Sequence, residues 1–187
     1  MKKAGAAKTN AARMLEGAGI RYELLEYEVD AGDMSAPQVA QAIGLPAEQV
    51  LKTLVVRGDH SGVLLAVIPG NAELDLKALA AASGNKKVEL VPVKDILGLT
   101  GYVRGGVSPV GTRKAYPVYL DSSAADWPVI SVSAGIKGRQ LLLGPEDLRR
   151  AVGAILGPIS PPDRLAHHAR AARTASGSSI SGNRSAG

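Results

Sequence analysis

Two apolar runs joined by a five-residue turn constrain this chain more than any other feature. Leu51-Lys52-Thr53-Leu54-Val55-Val56-Arg57 and Val63-Leu64-Leu65-Ala66-Val67-Ile68 are rich in aliphatic and β-branched residues, and Gly58-Asp59-His60-Ser61-Gly62 lies between them. Such a pattern predicts a β-hairpin. A hairpin in mid-chain excludes a fold made only of alternating parallel βα units.

The rest of the chain supplies the other elements. Thr9 or Asn10 can cap a helix through Leu15 and Glu16, stopped by Gly17 and Gly19. Arg21 to Glu28 reads as a strand. Ser35 caps a helix over 36–43, with Pro37 in its first turn and Gly44 at its end. Pro46 to Val50 reads as a helical turn, 75–83 as a helix, 88–91 as a strand and 92–97 as a short helix. Strands are expected over 118–120, 129–132 and 140–143, the last two turned by Gly135 to Gly138. A final helix opens at Pro145 and is expected to reach Leu156. The expected class is mixed α/β: a curled, barrel-like mixed sheet of six or seven strands flanked by short helices.

Composition narrows the chemistry. With 187 residues, 45% of them hydrophobic, the chain can bury one sizeable core. Phe is absent, so that core is aliphatic, and aromatic platforms for stacking bases are few. Cys is absent, which excludes disulfides, thiolate metal sites and a cysteine nucleophile. No apolar run approaches the length of a membrane span, and the N-terminus lacks the apolar stretch of a secretory signal, so a cytoplasmic protein is expected.

The net charge of +5 sits at the ends. Residues 1–10 carry three lysines, and residues 158–187 carry four arginines against one aspartate. The expected organisation is a flexible basic N-terminus (1–10), one domain (11–157) and a basic, disordered tail (158–187). Within the domain, residues 13–33 hold six acids against two bases, while 86–150 hold ten bases against six acids. The second half therefore offers a mildly basic face to a polyanion, or simply a solvated mixed surface.

The stretch Gly101-Tyr102-Val103-Arg104-Gly105-Gly106-Val107-Ser108-Pro109-Val110-Gly111 is the best candidate for a binding wall. Its glycines let a ligand approach the backbone, whose N–H groups can hold anionic or carbonyl oxygens. It has neither the Gly-Lys-Ser/Thr ending of a phosphate loop nor a dinucleotide-turn spacing. A tight structural turn is the competing explanation.

Lys52 shares a strand face with Leu54 and Val56. A lysine there either finds a partner or ligand for its ammonium, or snorkels to water. Tyr27 either lines a pocket or packs with a wet hydroxyl. Ser108 lacks a nucleophile elbow and a histidine partner. His60 falls in a turn, and His167 and His168 in the tail, so neither a Ser-His-Asp mechanism nor a histidine metal centre is expected. If the chain is an enzyme, positioning and oxyanion stabilisation must carry the catalysis.

Val50-Leu51-Lys52-Thr53-Leu54, Leu74-Asp75-Leu76-Lys77, Lys86-Lys87-Val88-Glu89 and above all the Gly101–Gly111 loop resemble the YbaK branch of the aminoacyl-tRNA deacylases. That branch is related to the editing domain of bacterial prolyl-tRNA synthetases. Val132-Ser133-Ala134-Gly135-Ile136-Lys137-Gly138 resembles its later turn, and the likeness runs from about Ala11 to Leu156. The resemblance implies removal of cysteine from mischarged Cys-tRNA(Pro), with tRNA as substrate, prolyl-tRNA synthetase as a partner, and no metal or cofactor. It implies Lys52, Gly105 and Gly106 as the catalytic centre. It places Tyr27, Tyr102, Ser108, Pro109, Gly111, Ser133 and Gln140 in the substrate pocket. It also implies substrate-assisted chemistry, in which the cysteine thiol attacks its own ester. The alternatives are a deacylase for Ala-tRNA(Pro) or another small residue, and a non-catalytic binder of tRNA or synthetase. Ile136 stands where many relatives carry a cation, which removes one contact to RNA.

Overall fold

The computed structural model describes residues 8–29, 32 and 34–161. Most of the expected basic N-terminus, and the expected tail from residue 162 onward, lie outside the described residues.

Helix α1 (Asn10–Gly17) is capped by the Thr9 hydroxyl, which accepts from the Ala12 amide at 3.2 Å. It leads to strand β1 (Glu23–Glu26) and helix α2 (Ala36–Ile43). At the start of α2, Ser35 and Gln38 form a reciprocal capping box, and Gly44 ends the helix in the left-handed region at φ +73°. The expected hairpin follows as β2 (Leu51–Gly58) and β3 (Gly62–Pro69). Then come α3 (Leu76–Ser83), β4 (Val88–Leu90), α4 (Val93–Thr100) and, past the glycine-rich loop, β5 (Val118–Asp121). A 3₁₀ turn (Ser122–Asp126), β6 (Ile130–Ser133), β7 (Arg139–Leu143), α5 (Pro145–Val152) and β8 (Ile155–Gly157) complete the described chain.

The class is mixed α/β, with five α-helices and eight strands among the described residues. The strands form two sheets, ordered β1-β7-β6 and β4-β2-β3-β5-β8, and no closed barrel. The smaller sheet is antiparallel; in the larger, β3, β5 and β8 are mutually parallel. The sheets are linked where β2 begins, by a parallel bridge between Val50 and Ser131 and a 2.9 Å bond from the Ser131 amide to the Gln49 carbonyl.

Alternation along the strands builds the packing. Leu51, Val55, Leu65, Val67 and Leu120 of the large sheet share the main core with Ile130, Val132, Leu141 and Leu143 of the small one. The opposite face of the large sheet, with Val56, Leu64, Ala66 and Ile68, is covered by Leu79 and Ala80 of α3 and by Ile159. A third cluster packs Val39, Ala40 and Ile43 of α2 onto Leu25 and Val50.

One expectation is corrected, and two features have no local sequence signal. α5 stops at Val152 because Gly153 turns left-handed at φ +64°, which frees Ile155 to pair with Tyr119 in a strand the sequence had assigned to helix. Residues 122–126 are a 3₁₀ turn capped by Asp121, whose carboxylate also accepts from the Ile159 and Ser160 amides at 3.0 and 2.9 Å. Ile159, beyond the last strand, is fully buried.

Candidate active site

The small sheet presents one polar face. Register places Leu25 opposite Gln140, and Gln140 opposite Ser133, in a single row. Ser131 and Tyr27 lie two residues along their chains from that row. Tyr27 extends the ladder by donating its amide to the Gly138 carbonyl at 2.9 Å. Gln140 is buried, and its side-chain oxygen accepts from the Ser131 hydroxyl at 2.9 Å. Ser133 donates its hydroxyl to the Gly106 carbonyl at 3.1 Å and accepts from the Gly135 amide at 3.1 Å. Tyr27, Val29, Met34, Gly105 and Lys137 line a narrow crevice beside this face.

Lys52 enters from the large sheet. It stands two residues beyond Val50 in β2, as Ser133 stands two residues beyond Ser131 in β6, so the bridge brings the two segments alongside each other. Its ammonium is half-buried and donates to the Gly70 carbonyl at 3.2 Å. Burial lowers its pKa from the ordinary lysine value, and the Glu73 charge opposes that shift. Gly70 reaches this position because it has no side chain: a Cβ would stand 2.7 Å from the Val50 carbonyl oxygen and 2.8 Å from the Ala36 Cβ. Sequence reasoning missed Gly70 and Glu73, although Pro69-Gly70-Asn71 is a turn signal at a strand end.

The glycine-rich loop is braced from within. Tyr102 is buried, and its hydroxyl donates to the Val110 carbonyl at 2.7 Å. Its ring lies against Gly135, where a Cβ would come within 2.6 Å of Cε1. Burial raises the pKa of this hydroxyl, with the nearby Asn10 amide opposing. Asn10 also donates to the Gly111 carbonyl at 3.2 Å, which ties α1 to the loop. Ser108 is fully buried, and its oxygen accepts from the Val110 amide at 3.2 Å. Tyr102, Ser108, Pro109 and Gly111 thus shape the loop from the buried side. Tyr27 and Gly105 line the crevice, while Gly106, Ser133 and Gln140 frame it.

The loop also carries spare donors. The Gly106 amide is used, donating to Val103 at 2.9 Å. Among the described residues, the amides of Gly105, Val107 and Ser108 make no hydrogen bond, although Val107 and Ser108 are buried. Buried backbone donors are nearly always paired, so this cluster has capacity for an oxygen from outside the chain. His60 sits in the hairpin turn at the far end of β2 from Lys52. Among the described residues, no three His, Cys, Asp or Glu side chains converge as a metal site, and no helix is long and apolar enough to cross a membrane.

A half-buried lysine at the start of β2, and a loop of spare amides of which Gly105 lines a narrow crevice, are groups able to hold a small polar ligand. The chain is a member of the aminoacyl-tRNA editing domain family, whose model matches residues 31–151. It is 48% identical over 145 residues to an Enterococcus faecalis protein named "Putative Cys-tRNA(Pro)/Cys-tRNA(Cys) deacylase EbsC", covering 78% of this chain and 88% of that one. It is 32% identical over 77 residues to the proline–tRNA ligase of Thermosipho africanus, which covers 41% of this chain and 14% of the ligase. Among solved structures, one described as "a putative trans-editing enzyme for prolyl tRNA synthetase" superposes with a TM-score of 0.73 at 27% identity, covering 84% of this chain and all of the other.

Proposed function

We propose that this protein is a trans-editing deacylase that removes cysteine from mischarged Cys-tRNA(Pro). The observations that support the reading are a half-buried Lys52 bonded to the Gly70 carbonyl at the start of β2, and spare amides at Gly105, Val107 and Ser108 in the glycine-rich loop, in a chain without cysteine. The similarity to EbsC supports the choice of aminoacyl group and tRNA.

In this reading the chain positions and the substrate reacts. The amides of the loop hold the ester carbonyl oxygen where negative charge develops. The Lys52 ammonium, half-buried and bonded to the Gly70 carbonyl, orients the polar end of the aminoacyl group. The cysteine sulfur attacks its own ester carbonyl carbon. A C–S bond forms, the C–O bond to the terminal ribose breaks, and the thiol proton ends on the ribose oxygen. The four-membered thiolactone that leaves is opened by water to free cysteine. A protein without a single Cys can promote this reaction because the sulfur belongs to the substrate. The setting is the translation machinery of the cytoplasm, with prolyl-tRNA synthetase as a transient partner that supplies the mischarged tRNA.

The test is deacylation of proline tRNA charged in turn with cysteine, alanine and proline. The reading requires fast loss of cysteine alone, and persistence of a cysteinyl ester whose sulfur has been methylated. Preferential loss of alanine points to a deacylase for another small residue. Binding without loss of any aminoacyl group points to a non-catalytic binder.

A further inference from the structure

The longest acid-free stretch around the site is residues 96–120, which contains Arg104, Arg113 and Lys114 and no Asp or Glu. All three cations are exposed. Among the described residues, none of their side chains makes an ion pair or a hydrogen bond. Lys8, Lys87, Arg139, Arg149 and Arg150 pair with carboxylates, while Arg13, Arg21, Arg57, Lys77, Lys86 and Lys94 are also without an ion pair among the described residues, so it is their place on the glycine-rich loop that singles out these three.

These three cations are mounted on the braced loop. Arg104 adjoins Gly105, which lines the crevice. The Arg113 side chain lies over Gly101, its Nε 3.7 Å from where a Cβ would stand, and the Arg113 amide donates to the Thr100 carbonyl at 2.9 Å. The Tyr116 hydroxyl donates to Leu99 at 2.7 Å and the Tyr102 hydroxyl to Val110 at 2.7 Å, so both limbs of the loop are tied together. A ligand therefore meets charges on a backbone that is already ordered, and little freedom is lost on docking. The opposite wall of the crevice is formed by the end of the β1 segment. Tyr27 belongs to a segment that carries Glu23, Glu26 and Glu28. Lys137 also lines the crevice, and Glu26 is held by Arg139 at 3.1 Å.

We infer that Arg104, Arg113 and Lys114 form a phosphate-binding rim that holds the sugar–phosphate backbone of the RNA next to its charged end. Exposed cations in an acid-free stretch of sequence, and few aromatic platforms, fit a backbone that is recognised by charge and not by base. The inference rests on the deacylase reading for its choice of RNA. It goes beyond that reading by separating docking from chemistry: the rim supplies affinity for tRNA, and the crevice cleaves the ester.

The test uses the full chain and a variant carrying Arg104→Ser, Arg113→Ser and Lys114→Ser. Binding of uncharged proline tRNA is followed by fluorescence anisotropy across salt concentrations. Each lost phosphate contact removes roughly 0.7 to 0.9 from the log–log salt slope, so the triple variant is expected to flatten it by about 2 and to weaken binding at low salt by on the order of tenfold or more. Its KM for Cys-tRNA(Pro) rises accordingly, with kcat unchanged. Cleavage of 3′-O-cysteinyl adenosine, which has no phosphate, stays at the wild-type rate. The charge-keeping variant Arg104→Lys, Arg113→Lys retains the slope, and neutralising the remote Lys77 and Lys86 leaves it unaltered. An unchanged slope in the triple variant overturns the rim, as does equal loss from the remote pair, failure of the wild type to bind tRNA, or equal damage to the adenosine ester. If the wild type binds tRNA through these residues yet deacylates nothing, the rim stands and the deacylase reading falls.

Discussion

Ser133 donates a hydrogen bond from its hydroxyl to the Gly106 carbonyl across 3.1 Å, and this bond fastens the end of β6 to the glycine-rich loop. The same oxygen accepts from Gly135, so one side chain fixes two turns that meet at the crevice. Ser133→Ala removes both bonds. It is expected to cost about 1 kcal/mol of stability and to lower kcat several-fold, because the loop amides lose their alignment. Chemical denaturation and single-turnover deacylation check the pair of effects; intact catalysis with the usual stability loss would make Ser133 a merely structural residue.

Tyr102 braces the loop from beneath. Tyr102→Phe leaves the Val110 carbonyl without its donor, at a cost of about 1–3 kcal/mol. Gly135→Ala is expected to be worse. It drives a Cβ to within 2.6 Å of the Tyr102 ring at a residue whose φ is +93°. Thermal unfolding midpoints should fall in that order, and a Gly135→Ala protein as stable as wild type contradicts the packing described.

Gly70→Ala tests the support of Lys52. The added methyl meets the Val50 carbonyl oxygen at 2.7 Å, a backbone atom that cannot swing aside. Overpacking of this kind costs roughly 1–3 kcal/mol. Because the Lys52 acceptor moves with it, deacylation should fall further than the lost stability explains. Activity measured on the folded fraction separates the two effects.

The pH dependence of stability has a definite sign. The folded Lys52 pKa lies below that of the unfolded chain because burial disfavours the ammonium. Between those two values the unfolded state binds more protons, so stability rises with pH there. The burial cost is felt in full below the folded pKa and is relieved as pH rises through it. Compared with Lys52→Met, which cannot titrate, the wild type should therefore gain relative stability from neutral pH toward pH 10. Urea unfolding of both proteins at several pH values checks this; a wild type that loses ground as pH rises contradicts it.

Much of the fold was legible because local chemistry and tertiary packing agreed. Thr9, Ser35 and Asp75 cap helices as their side chains suggest, and the turn at 58–62 closes the hairpin. Ile155 was misread because α5 leads straight into it and a single glycine decides the break; its partner Tyr119 is distant in sequence. The division into two sheets was hidden for the same reason, since register between remote strands leaves no local mark. At the candidate site, the face of Lys52 followed from strand alternation. Its partner Gly70 did not, because an acceptor carbonyl carries no side-chain signal. The loop announced itself by its glycines, but the scaffold roles of Tyr102 and Ser108 emerge only from their burial and their bonds to Val110.

The most direct measurement is single-turnover deacylation of Cys-tRNA(Pro) by the wild type and by Lys52→Ala, with folding of both verified by circular dichroism. Loss of a charged positioning group at a desolvated site predicts a rate lower by about 100-fold or more, or roughly 2.7 kcal/mol in the barrier. A folded Lys52→Ala protein that clears cysteine within a few-fold of the wild-type rate contradicts the account.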